Sequence, residues 1–222
     1  IVRTDPAGIV TQDVLTHEFD EYGRTSKLTT IHTAADRIVT TKEDVYTYDD
    51  FGQLTAGNNS TTNPDATNTN ANTSYIYDQF GRIIQATTTT TNPDSTQNTN
   101  IVTYSYDSYG RVNSQTSVLT KPDGTVYIDV TTYTYDQYGR LSQSVTNRTQ
   151  AGNPQVEIVT DYVYDQYGRL ASQTNTTTVQ STQGPITTVE VTNYAYDAYG
   201  RILTQTTNRT NADGSATIDV TT

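Results

Sequence analysis

Apolar and polar positions alternate over short stretches that recur along the whole chain. Tyr133 and Tyr135 flank Thr134, and the β-branched run Val130–Thr132 comes directly before them. Side chains alternate between the two faces of a β-strand, so both tyrosine rings fall on one face. β-Branched residues also favour strands. The pattern therefore predicts a β-strand that ends where Asp136 follows Tyr135.

The end of this strand belongs to a motif that occurs seven times: aromatic-x-aromatic-Asp-x-(Tyr/Phe)-Gly-(Arg/Gln). Twenty of its 21 aromatic positions hold Tyr or Phe, His17 fills the other, and Tyr127 is the one aromatic residue outside the motif. Successive copies are 29 residues apart, except for a last interval of 32, as the motif glycines show: Gly23, Gly52, Gly81, Gly110, Gly139, Gly168 and Gly200. A period of this length predicts a repeat array.

The motif predicts a tight turn after each strand. An Asp at the first turn position accepts a hydrogen bond from the backbone two residues on, and Gly at the fourth adopts the left-handed conformation that closes a type I turn. The residue after the glycine opens the next strand, where an Arg forms an exposed pair with the Asp. We assign these structural roles to Tyr133, Tyr135, Asp136, Gly139 and Arg140, and in the next copy to Tyr162, Tyr164, Asp165, Gly168 and Arg169.

A second turn is predicted about halfway between motif copies. Pro-Asp or Asp-Gly pairs recur there, as in Asn63–Ala66, Asn92–Ser95, Lys121–Gly124 and Asn211–Gly214, with variants at Ala151–Pro154 and Gln183–Pro185. Two turns in each repeat leave two strands of roughly 10 residues. We expect an all-β fold: tandem β-hairpin repeats in an elongated, antiparallel, spiralling array. Residues 1–222 are expected to be a single array that is either a segment of a longer one or one unit of a fibre.

The composition provides too few aliphatic residues for an ordinary hydrophobic core. Leu, Ile, Val and Phe make up only 41 of 222 residues, and the net charge is −11, a combination typical of disorder. The regular placement of the aromatics and turn residues argues against disorder. Tyr rings and the methyl groups of 48 Thr residues must then replace an aliphatic core, which predicts thin packing in ladders of side chains.

Composition also argues against several functional classes. The acidic balance argues against nucleic acid as a partner, and no apolar run is long enough to span a membrane as a helix. The chain has no Cys, so it has no disulfide and no thiolate metal site. The segment His17–Asp20 lacks the second His of a zinc-protease helix, and no catalytic triad can be assembled. We expect no enzyme activity and no catalytic, cofactor or metal site.

Two alternatives stay open for the repeated residues. The motif aspartates could form a carboxylate ladder that binds Ca²⁺ through oxygen, although capping of their own turns is favoured. The tyrosines could stack against carbohydrate, although packing between hairpins is favoured. Asn-x-Ser/Thr sequons add candidate glycosylation sites at Asn72, Asn147, Asn175 and Asn208, and glycans there would imply a secreted or surface protein.

The stretch Tyr133–Leu141, with its pattern YxYDxxGRL, resembles the YD repeats of the Rhs proteins, the teneurins and the C components of insecticidal toxin complexes. The resemblance implies β-hairpins that spiral into a hollow shell, which encloses a toxic segment in some members and belongs to an adhesive ectodomain in teneurins. The chain departs from that pattern in its uniform spacing, its Thr- and Asn-rich strands, and Gln53 in place of the motif Arg. Residues 1–222 contain neither the self-cleaving aspartyl protease region nor a toxin domain.

These features together predict an extracellular filament or surface stalk of stacked β-hairpins. Its expected partner is itself, joined head to tail or as a continuous polymer, because Val2–Gly8 and Asn208–Gly214 hold the same phase of the repeat. The alternative is an Rhs-like shell segment that encapsulates a toxin or acts as an adhesive binding module.

Overall fold

The computed structural model describes residues 2–4, 10–34, 36 and 38–221, and within them the protein is all-β. Sixteen antiparallel strands form one open sheet whose strand order follows the chain, and no helix occurs among the described residues. The all-β, antiparallel hairpin array predicted from the repeats is confirmed. The strands are β1 (Val2–Thr4), β2 (Val10–Phe19), β3 (Thr25–Thr33), β4 (Val39–Tyr48), β5 (Leu54–Thr62), β6 (Asn68–Tyr77), β7 (Ile83–Thr91), β8 (Gln97–Tyr106), β9 (Val112–Thr120), β10 (Val126–Tyr135), β11 (Leu141–Gln150), β12 (Val156–Tyr164), β13 (Leu170–Val179), β14 (Ile186–Tyr196), β15 (Ile202–Thr210) and β16 (Ala216–Thr221).

The chain packs as two compact units. The first comprises Ile1–Thr103 and Leu119–Gly124, and the second comprises Tyr104–Val118 and Thr125–Thr222. The register of a motif hairpin is the same in both. In the first unit Tyr77 pairs with Ile83, and in the second Tyr135 pairs with Leu141, in each case after a one-residue irregularity next to the turn. The repeated sequence thus produces a repeated backbone.

The motif turns close through the Asp and the Gly. In the turn that joins β10 to β11, the Gly139 amide donates to the Asp136 carbonyl at 2.9 Å, and the Asp136 amide donates to the Arg140 carbonyl at 2.8 Å. Gly139 has a φ of 79°. The Asp136 side chain accepts from the amides of Tyr138 and Arg140, both at 2.9 Å. The carboxylate therefore caps its own turn.

The second turns use a residue with positive φ at the fourth position. Gly124 and Gly214 hold φ values of 82° and 80°, whereas Ala66 and Ser95 are held at 65° and 67° in equivalent turns. A Cβ is strained in this region. The variant predicted at Ala151–Pro154 lies one residue earlier: the turn is Gln150–Asn153, because Gly152, with a φ of 79°, supplies the left-handed residue at its third position.

Side chains on the two faces of a strand differ in exposure. In β10, Thr131, Tyr133 and Tyr135 are half-buried, while Thr132 and Thr134 are exposed. We call the face that carries the motif tyrosines the tyrosine face. No hydrophobic residue among those described is fully buried; the buried residues are Asp44, Thr160 and Thr192. The packing is thin, as the composition predicts.

A polar rung crosses the tyrosine face beside the aromatic rings. The Thr131 and Thr146 hydroxyls lie 2.8 Å apart on paired strands, and the Thr160 hydroxyl donates to the Asn175 side chain at 2.9 Å. Buried polar groups cost free energy unless they are hydrogen-bonded, and each rung pairs its members with one another. This explains how Thr160 is buried without an apolar core. The same hydroxyl contact joins Thr73 to Thr88 and Thr192 to Thr207.

Candidate functional site

The most regular arrangement of functional groups lies where one motif turn meets the next hairpin. We call it the tyrosine–arginine junction and define it by Arg140 and Asp136 of one copy with Tyr164 of the next. The Arg140 guanidinium carbon lies 4.9 Å from the centroid of the Tyr138 ring and 4.4 Å from that of Tyr164. At these distances the cation is attracted to both rings. One arginine therefore connects its own turn to the following hairpin.

An ion pair holds the guanidinium in place. Arg140 Nε donates to Asp136 Oδ2 at 2.7 Å, and Arg140 Nη2 lies 2.7 Å from the same oxygen. The Arg140 and Asp136 side chains are 30% and 21% exposed. The pair is half-buried, so the prediction of an exposed pair was wrong, because the two tyrosine rings cover the guanidinium.

The environment lowers the pKa of Asp136. Partial desolvation acts to raise this pKa, but hydrogen bonds from the Arg140 backbone and side chain and from the Tyr138 amide outweigh it. The carboxyl pKa therefore lies below its ordinary value, so the carboxylate stays charged to lower pH than a free Asp side chain. The same direction holds for the equivalent residues Asp20, Asp78, Asp107, Asp165 and Asp197.

Two further contacts complete the junction. The Tyr164 hydroxyl donates to the Leu141 carbonyl at 2.8 Å, so a side chain of one hairpin bonds the backbone of the preceding one. A Cβ placed on Gly168 would lie 3.3 Å from Arg140 Nη1. The motif glycine therefore serves two needs, a positive φ of 80° and room for the arginine of the previous copy.

The junction recurs with nearly constant geometry inside each unit. In the first, Arg24 lies 4.5 Å from the Tyr48 ring. In the second, Arg111 lies 4.3 Å from Tyr135, and Arg169 lies 4.4 Å from Tyr196. The tyrosine hydroxyl bond to a backbone carbonyl of the preceding hairpin recurs at Tyr48, Tyr77, Tyr135 and Tyr196, with lengths of 2.7–2.9 Å.

One copy lacks the cation. Gln53 stands where the other copies have Arg, and its Nε2 would lie 2.8 Å from a Cβ placed on Gly81. The Tyr77 hydroxyl still donates to the Leu54 carbonyl at 2.8 Å. The amide is neutral, so it forms neither an ion pair with Asp49 nor a cation–π contact. The junction is therefore preserved in position and reduced in strength.

The last motif copy presents half of a junction. Arg201 keeps its 2.6 Å ion pair with Asp197, but its side chain is 76% exposed. The equivalent arginines within the array are 28–31% exposed: Arg24, Arg82, Arg111, Arg140 and Arg169. The difference is the shielding that a following hairpin supplies.

The contact between the motif arginine and the next copy's tyrosine was missed by the sequence analysis. Arg140 and Tyr164 are 24 positions apart, and the motif reading paired Arg140 only with Asp136 in its own turn. The available signal was the offset of the arginine from the tyrosine of the following copy, which is 24 positions at Arg24, Arg111 and Arg140 and 27 at Arg169.

The sequon asparagines lie within strands. Asn72 is exposed in β6, while Asn147, Asn175 and Asn208 are half-buried in β11, β13 and β15. The Asn175 side-chain oxygen accepts from the Thr160 hydroxyl. Glycosylation at the four positions stays a prediction.

The two histidines occupy surface positions. The His17 ring stacks on Phe19 with centroids 6.0 Å apart, and His32 Nδ1 lies 2.6 Å from Asp13 Oδ1. Within the described ranges, no group of three or more His, Asp or Glu side chains could hold a metal ion. The described residues also contain no helix with the length and apolar character needed to cross a membrane.

Comparisons with known proteins identify no family for the chain. No family model and no curated protein matches the chain. Among solved structures, it is similar to a porin-like protein from Bacteroides uniformis at 11% sequence identity. That match covers 95% of this chain and 89% of the other, with a TM-score of 0.41. A likeness at this level says nothing about function.

Proposed function

We propose that the protein is a structural component, an extracellular filament or surface stalk in which β-hairpins are stacked through tyrosine–arginine junctions. The observation that carries this proposal is the recurrence of one connector. Each complete junction links consecutive hairpins by a cation–π contact, a hydroxyl-to-backbone bond and an ion pair in the turn. A connector of this kind can be repeated without limit, so an array built from it can be extended by further copies.

The proposal extends to self-association. Arg201 and Tyr199 offer a guanidinium and a ring to a further hairpin, and Ile202 beside them is 58% exposed. An exposed sheet edge pairs readily with another strand. The partner is then a further hairpin of the same kind, either in a longer chain or in a second copy. A glycan on the exposed Asn72 would help to keep the array solvated.

Light scattering over a range of protein concentrations tests the self-association. The mass of the wild-type chain is expected to rise with concentration, and Arg201→Gln is expected to weaken that rise. Arg209→Gln is the matched control, because Arg209 lies on β15, the strand that follows Arg201, is 60% exposed and pairs with Glu190 away from the junction. A constant monomer mass would contradict self-association and favour the shell-segment alternative.

A further inference from the structure

The third aromatic residue of each motif is exposed, whereas from the second copy onward the other two are half-buried. We call these residues the turn aromatics, and each sits directly before the motif glycine. Their exposed fractions range from 71% at Phe80 to 91% at Phe51. By contrast, Tyr133 and Tyr135 on the tyrosine face are half-buried. The turn aromatics are Tyr22, Phe51, Phe80, Tyr109, Tyr138, Tyr167 and Tyr199.

The hydroxyl group of a turn tyrosine is dispensable for the turn. Phe51 and Phe80 occupy the same position in turns whose glycine amides donate to the Asp carbonyl at 3.0 Å. Arg82 also lies over the Phe80 ring, at 5.0 Å, as Arg140 lies over Tyr138 at 4.9 Å. The ring is therefore structural, while the five phenolic hydroxyls are left for another use.

Composition makes tyrosine the most readily oxidised side chain in the protein. The chain has no Cys, no Met and no Trp, against 18 Tyr. Thiol and thioether side chains are the usual first targets of oxidants, and indole rings also give up an electron readily. Without them, a one-electron oxidant acts on tyrosine, and accessibility decides which tyrosines react.

We propose that Tyr22, Tyr109, Tyr138, Tyr167 and Tyr199 are oxidative cross-linking sites that join neighbouring copies of the chain through dityrosine. The co-reactant is a peroxide, acting through a peroxidase. Each of two phenols loses one electron and its hydroxyl proton, and the peroxide takes up both electrons and both protons to form two waters. The radicals join through ring carbons next to the hydroxyls, and the protons on those carbons move to the oxygens.

The repeat geometry directs the cross-link between chains. Consecutive motif turns in a meander are separated by two strand spacings, roughly 10 Å. An open cleft of about 450 Å³ lies between the neighbouring turns of Tyr109 and Tyr138. The cleft separates these two rings, and each is held by the arginine of its own turn at 4.9 Å, whereas rings on the turn edges of two arrays that lie side by side can meet. This step rests on the proposed function and adds to it that assembled arrays lie side by side with their turn edges in contact.

Treatment of the purified chain with a haem peroxidase and hydrogen peroxide tests the proposal. We expect dityrosine fluorescence and covalent multimers, with mass spectrometry placing the linked residues at the five turn tyrosines. Because the linked residues are located in the wild-type chain, this result does not depend on whether a variant folds. Links mainly at Tyr133, Tyr135 and their equivalents, or no dityrosine at all, would overturn the proposal.

Substitution of all five turn tyrosines by Phe gives a matched pair of variants. This change copies the natural residues at positions 51 and 80, so we expect an unchanged circular dichroism melt and loss of most of the dityrosine. The control set is Tyr46, Tyr75, Tyr104, Tyr162 and Tyr194, which are half-buried on the tyrosine face and donate no junction bond; each is changed to Phe, and this variant is expected to retain the cross-links. Full cross-linking in the first variant would overturn the proposal. Electron microscopy before the oxidant is added shows whether filaments form without cross-links. Failure of the filament proposal can therefore be distinguished from failure of the cross-linking proposal.

Discussion

Replacing Arg140 by Gln tests the junction with a change that the chain itself contains at position 53. The substitution removes the contacts of the guanidinium with Tyr138 and Tyr164. Cation–π contacts at partly exposed sites contribute about 0.5–1 kcal/mol each, so two contacts give about 1–2 kcal/mol. Loss of the ion pair with Asp136 acts in the same direction and depends on salt. The carboxylate keeps its two backbone hydrogen bonds, so it is not left unpaired.

Two assays read this loss. For a chain of this length, about 1–2 kcal/mol lowers the melting temperature by about 2–8 °C. Because repeat arrays open locally, hydrogen exchange gives the sharper result. Amides of the hairpins on either side of the Arg140 junction are expected to exchange faster in Arg140→Gln, while those of β2 to β5 stay unchanged.

The reciprocal change and a control complete the test. Gln53→Arg restores the cation beside Tyr77 and is expected to slow exchange around that junction. Arg148→Gln removes an ion pair with Asp129 from a side chain that is 51% exposed, and it is expected to have a smaller effect than Arg140→Gln. Equal exchange in Arg140→Gln and wild type, with no change in melting, would refute the role given to the junction.

Four further outcomes are expected. Gly139→Ala should destabilise by about 1–2 kcal/mol because of its positive φ, whereas Gly57→Ala in mid-strand should be neutral or stabilising; equal melting of the two variants would contradict the turn assignment. Ala66→Gly should stabilise by about 1 kcal/mol by relieving a positive φ, which a denaturant midpoint measures; a lower midpoint would count against it. Tyr164→Phe should cost about 0.5–1.5 kcal/mol through the lost hydroxyl bond, and an unchanged denaturant midpoint would count against that bond. The lowered folded-state pKa of Asp136 and its equivalents adds stability above the ordinary Asp pKa, so the urea midpoint should hold near neutral pH and fall below about pH 4; a midpoint that rises on acidification would contradict this.

The elements of the fold were predictable because each rests on local chemistry. The Tyr133-Thr134-Tyr135 alternation predicts a strand, and the spacing of Asp136 and Gly139 predicts the turn that follows. The turn at Gln150–Asn153 was predicted one residue too late, at Ala151–Pro154. Gly152 and Pro154 are both typical of turns, and the sequence alone does not show which of them sets the turn position.

The junction was harder to predict because its members come from different copies. Arg140 has a nearer partner in Asp136, so a local reading assigns it there and misses Tyr164 across the hairpins. The three aromatic positions of a motif also look alike in sequence. Only the course of the backbone separates Tyr135, which lies across the sheet under Arg111, from Tyr138, which is presented at the turn and is 74% exposed.

Negative-stain electron microscopy of the purified intact gene product tests the central proposal most directly. If stacked hairpins form a structural array, long filaments of uniform width should appear, and Arg201→Gln should shorten filaments that grow by subunit addition. Compact hollow particles, or single small particles at every concentration, would contradict the filament and support a shell segment instead.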